Sequence, residues 1–90
     1  MIEAPFDLLM ANADAMKRGA LAIWTVYDRP KDHPGGFIAR MHEVADGESR
    51  PTDHTLKGDL EEIRKVFWQA GLVKLTRSAG DEPHIVENWL

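Results

Sequence analysis

The stretch "ALAIWTVYDRPKDHPGGFIARMHEV", residues 20–44, decides the fold. Its two ends, 20–27 and 37–44, are rich in β-branched and aromatic residues and read as strands. Between them, Pro30 and Pro34 have no N–H to give a ladder, so the strands must stop on either side. Asp32 is a turn former, and Gly35-Gly36 supplies permissive backbone where the second strand begins. The segment is therefore expected to be an antiparallel hairpin with a stiff connection over 28–36.

Pairing Tyr27 with Phe37 fixes a register, and alternation then divides the hairpin into two faces. Leu21, Ile23, Thr25, Tyr27, Phe37, Ala39, Met41 and Glu43 share one face. This face is apolar along nearly its whole length and is the expected core side. Ala22, Trp24, Val26, Ile38, Arg40, His42 and Val44 share the other, with Trp24 opposite Arg40. A slip of one residue would change these partners. The Trp24 face needs a cover as well: the N-terminal helix, a second copy of the chain, or a ligand.

Downstream, 45–58 ("ADGESRPTDHTLKG") is dense in turn formers and reads as a polar connection. Asp59-Leu60-Glu61-Glu62 has the form of a capping box, with Asp59 as N-cap and Glu62 reaching back to it. Leu60, Ile63, Phe67 and Ala70 follow at helical spacing, and Gly71 marks the stop, so a helix is expected over 60–70. Residues 72–76 and 84–90 read as two more strands around a turn at 78–83. Upstream, Pro5 and Gly19 bracket a helix over 5–18 whose apolar stripe is Phe6, Leu9, Met10, Ala13 and Met16. The order is α-β-β-α-β-β. The expected fold is one α+β domain over 1–90, with a four-stranded antiparallel sheet and the central helix packed on one face.

Composition bounds the function. Ninety residues with 43% hydrophobic and 29% charged content suit one compact core. The absence of cysteine excludes disulfides and thiolate metal sites. No apolar run approaches the ~20 residues of a membrane span. The N-terminus places acid before its apolar part, the reverse of a secretory signal, so the cytoplasm is the expected compartment. A net charge of −4 argues against nucleic acid as a partner.

Trp24-Thr25-x-Tyr27, Pro30-x-Asp32-x-Pro34 and Phe37-x-Ala39-Arg40, with the ending Ile85-Val86-Glu87-Asn88-Trp89-Leu90, resemble a pattern in small uncharacterised bacterial proteins. The resemblance covers roughly 22–90. It implies a shared fold and brings no activity and no catalytic residue with it.

Chemistry-bearing constellations are sparse. His33, His42, His54 and His84 include no i, i+4 pair and no HExxH pattern, so no metal and no cofactor are expected. Ser49 and Ser78 lack a neighbouring base, and Glu61 and Glu62 suit the positive end of a helix. Gly35-Gly36 opens a strand rather than a helix, so no phosphate cradle is indicated. The expected function is a small non-catalytic interaction or accessory module that self-associates, with a homodimer as the first partner considered. The alternative is a small-molecule binder or small enzyme with an anion pocket at Trp24, Arg40 and His42, with His33 on its rim. There Arg40 would hold the anion and His42 would titrate near neutral pH. An inhibitor of a host protein is the weakest reading, resting on small size and acidity alone.

Overall fold

The structure, a computed structural model, describes residues 5–28, 36–75 and 85–90. Helix α1 (Pro5–Lys17) leads into strands β1 (Leu21–Asp28), β2 (Phe37–Ala45) and β3 (Glu48–Gly58). Helix α2 (Leu60–Gln69) follows, then β4 (Lys74–Leu75) and β5 (Ile85–Trp89). The fold is α+β, and the strands form one antiparallel sheet in the order β3-β2-β1-β5-β4. The expected four-stranded sheet in an α-β-β-α-β-β order is thus corrected to five strands among the described residues, with a third strand between β2 and α2. The prolines, His33 and Gly35 of the first connection lie outside the described residues, as do Thr76 and His84 from the expected last strands.

The first hairpin forms, shifted by one residue. Tyr27 pairs with Ile38, Trp24 with Met41, and Thr25 with Arg40. The shift reverses the expected core assignment. Ala22, Trp24 and Val26 share the inner face with Ala39, Met41, Leu56 and Trp89, and Leu8, Ala11, Ala15, Ile63 and Phe67 pack on them from the two helices. Side-chain size and polarity explain the choice. A tryptophan removes roughly 150–250 Å² from water, the largest contribution the hairpin has to offer. In the expected register, burying Trp24 would have buried Arg40 and His42 beside it. In the observed register its face carries Ala39 and Met41, and the two polar side chains go to the opposite side.

The third strand replaces the expected polar connection over 45–58. Asp46 and Gly47 take φ values of 53° and 77°, and Ala45 pairs with Glu48. That is a two-residue turn of the left-handed kind that suits the twist of a hairpin. Two residues of β2, Arg40 and His42, pair with Thr55 and Pro51, so 52–54 bulge out of the ladder. The bulge is held by Thr52, whose hydroxyl donates to the Met41 carbonyl at 2.8 Å, and by Arg40, whose Nη1 donates to the Thr52 carbonyl at 2.7 Å. Pro51 and the charges of β3 fit an outer strand, where they discourage further pairing.

Helix α2 buries Ile63 and Phe67, with Leu60 and Ala70 packed alongside, so the expected stripe is the one used. Its start is Asp59, as expected, but the Asp59 side chain makes no capping hydrogen bond, and the capping box is not formed. The Asp59 carbonyl accepts from the Ile63 N–H at 3.0 Å, while Glu61 and Glu62 still face the positive helix end. At the other end, Leu72 N–H donates to the Phe67 carbonyl and Gly71 N–H to the Trp68 carbonyl, both at 3.0 Å, with Gly71 at φ 80°. This is a Schellman stop. Helix α1 ends in the same way through Gly19 and Ala20.

Helix α1 turns a different side inward from the one expected. Leu8, Ala11 and Ala15 are buried, whereas Leu9, Met10, Ala13 and Met16 are exposed. The cause is Asn12, whose Oδ1 accepts from the Trp24 indole Nε1 at 2.9 Å. A polar residue on the inner side is retained because it satisfies the core tryptophan.

Candidate functional site

Both helices pack on the Trp24 side, and among the described residues no element covers the other face of the sheet. That face forms a shallow concavity lined by Ile23, Thr25, Tyr27, His42, Val44, Ser49, Leu75, Ile85 and Asn88. Its geometry follows from alternation. The odd residues of β1 pair with Arg40, His42 and Val44 of β2, so their side chains share the side that Trp24 leaves.

The polar groups here are largely paired with one another. Thr25 Oγ1 donates to Asn88 Oδ1 at 2.7 Å, joining β1 to β5 across the face. Tyr27 Oη and His42 Nε2 lie 3.3 Å apart. Burial, and secondarily the nearby Arg40 guanidinium, push the His42 pKa below its ordinary value. His42 is therefore neutral at physiological pH. The lining contains no Asp, Glu, Lys or Arg, in a chain where 29% of residues are charged.

The four expected site residues are not brought together. Arg40 and His42 lie on the open face, but Arg40 is engaged with the Thr52 carbonyl. Trp24 is fully buried on the opposite face, stacked at a tilt on Phe67 with ring centroids 5.8 Å apart. His33 lies outside the described residues. An indole–guanidinium stack between Trp24 and Arg40 is excluded by their positions on opposite faces. The residues that share the concavity with His42, namely Tyr27, Ile23 and Asn88, belonged to the face expected to be the core or to the last strand, so a one-residue register error hid them.

A second polar cluster sits at the edge of the core. Glu87 is 4% exposed, and Arg64 of α2 reaches it with Nε at 2.9 Å from Oε1 and Nη2 at 3.4 Å from Oε2. Lys74 Nζ stands 3.9 Å from the same carboxylate. Hydrogen bonding to Glu87 is the largest cause of a raised Arg64 pKa, so the guanidinium stays charged. Beside it, the buried indole Nε1 of Trp89 has no acceptor among the described residues. That cost, about 1–3 kcal/mol, has to be outweighed by the ring's packing on Phe67, 5.2 Å away. Among the described residues no group of three His, Asp or Glu side chains is placed to hold a metal ion. No helix of the described residues is long and apolar enough to cross a membrane.

Compared with protein-family models, with curated proteins and with solved structures, the chain matches none.

Proposed function

We propose that the protein is a non-catalytic interaction module that pairs with a second copy of itself through the open sheet face. The observation that carries this reading is the lining of the concavity on that face, which is aliphatic, aromatic and neutral polar, with Arg40 outside it and engaged with the Thr52 carbonyl. A half-apolar sheet face gains from burial against another layer, and both helices among the described residues are used on the other side. Depletion of charge is what marks the centre of a protein interface. It suits a two-fold contact in particular, because a two-fold axis sets each side chain against the same surface of its partner, where like charges would repel. The strands, spaced ~4.8 Å and averaging about seven residues at ~3.3 Å each, offer on the order of 500 Å² in projection, which fits a reversible dimer rather than an obligate one.

The Thr25–Asn88 and Tyr27–His42 pairs satisfy the polar groups within each copy, so burial of the face leaves few donors unmet. The test is light scattering on the eluting protein. A mass approaching twice 10.2 kDa as concentration rises is expected, and Ile23→Glu should return it to 10.2 kDa. A wild-type chain that stays at the monomer mass at millimolar concentration would contradict the reading.

A further inference from the structure

A second concavity lies on the helix side of the sheet, between the outer surface of α2 and the β4–β5 edge. It is a groove of about 580 Å³, lined by Glu61, Arg64, Lys65, Trp68, Lys74 and Trp89. That volume is in the ~300–1,000 Å³ range of small-ligand sites. Two features set it apart from ordinary surface.

The first is Trp68. It stands next to Phe67 in sequence, about 100° further round the helix, and is 74% exposed. Its indole is a rigid, flat wall with nothing to shield it. The second is charge. The lining carries three cations and one carboxylate, in a chain of net charge −4. Arg64 is committed to Glu87 and Glu61, at 2.9 and 3.2 Å, and Lys74 is 3.9 Å from the buried Glu87. Lys65 has no ion-pair partner among the described residues. Positive charge therefore remains at the groove after the internal pairs are formed.

We infer that this groove binds a planar aromatic anion, an aryl carboxylate, sulfonate or phosphate. The ring would stack on Trp68, and the acid group would point towards Lys65 and Lys74. A bare indole would favour cations, but the surplus of ammonium and guanidinium groups repels them and selects the opposite charge. The groove is on the side of the sheet away from Ile23, Tyr27 and His42, so the inference stands apart from self-association, and either can fail alone.

The test uses the ¹⁵N-labelled full chain, whose three tryptophans give three indole N–H resonances. Naphthalene-2-sulfonate is titrated, with naphthalene-2-methanol and inorganic sulfate as neutral and ring-free controls. The expected result is a saturable shift of the Trp68 indole, assigned with Trp68→Phe. The Trp24 indole, which donates to Asn12, should stay in place. The neutral analogue and sulfate should each bind at least about fivefold more weakly. Trp68→Ala should weaken the sulfonate about tenfold. Lys65→Ala with Lys74→Ala should abolish the preference for the anion and leave the ring's residual binding. All three positions are exposed, so thermal melts close to wild type are expected and certify the fold. Any of four results overturns the inference: no shift at millimolar ligand, equal binding of the neutral analogue, shifts centred on Tyr27 and His42, or a Trp68→Ala change in oligomer mass with ligand binding intact.

Discussion

The two faces of the sheet both carry apolar side chains but differ in what completes them. On the inner face, Trp24, Phe67 and Trp89 stack in a row, closed by Leu8, Ile63 and Met41 from three elements. On the outer face, Ile23, Tyr27, Val44 and Ile85 are only partly covered by their neighbours in the sheet. The difference does not come from hydrophobicity of the strands alone. It comes from which face can be made free of Arg40 and His42, and that depends on a register of one residue.

The largest expected effect tests this contrast directly. Phe67→Ala opens a cavity between two tryptophans and should cost about 3–5 kcal/mol, against about 1 kcal/mol or less for Val44→Ala on the outer face. Urea denaturation of the two variants measures both, and comparable losses would show that the faces are equally packed. Next in size is the seam where the inner face meets solvent. Arg64→Met leaves the buried Glu87 carboxylate with Lys74 alone, at 3.9 Å, and should cost about 1–3 kcal/mol, discounted because Arg64 is itself partly exposed. Adding Glu87→Leu should restore most of it, since the remaining cost is the unpaired charge.

The second hairpin supplies β3 to both faces, and its turn can be weakened without touching either. Gly47 sits at φ 77° with open space where a Cβ would go, so Gly47→Ala should cost about 1 kcal/mol from backbone strain alone. Gly47→Asn, which tolerates that region better, should cost less. The smallest effect concerns His42. Its folded pKa lies below the ordinary 6.5, chiefly through burial, so the unfolded chain takes the proton more readily. The contribution to stability is complete above about pH 6.5 and is lost as pH falls through the folded value. Melting temperatures of wild type and His42→Gln should therefore diverge in slope below about pH 6.5, with the wild type falling faster. A parallel fall would place the acid sensitivity elsewhere.

Much of the fold was legible because the signals were local. The helix boundaries at Gly19 and Gly71, the stripe of α2 and the strand positions of the first hairpin follow from residue type and spacing. The third strand was not, and its signal was misread rather than absent. Asp46-Gly47 is a strong two-residue hairpin turn, but Pro51 and four charged residues within β3 obscured the strand that follows. Those residues are what an outer strand carries to avoid further pairing, so edge protection imitated a loop. The stripe of α1 was misread for a related reason: a helix with apolar residues on several sides does not declare its inner one, and the deciding bond, Asn12 to Trp24, is a tertiary contact. The candidate site suffered most. Arg40 and His42 were recognised as facing together, while Trp24 was assigned to them and Tyr27 and Asn88 were not. Cross-strand register rests on the sum of packing over the whole sheet, which no window of sequence contains.

The sharpest measurement of the central claim is an isotope-filtered NOE experiment on a mixture of labelled and unlabelled chain. Intermolecular contacts are expected to the methyl groups of Ile23, Val44 and Ile85 on the open face. Contacts confined to Leu9, Met10 and Met16 on the exposed side of α1, or none at millimolar concentration, would contradict it.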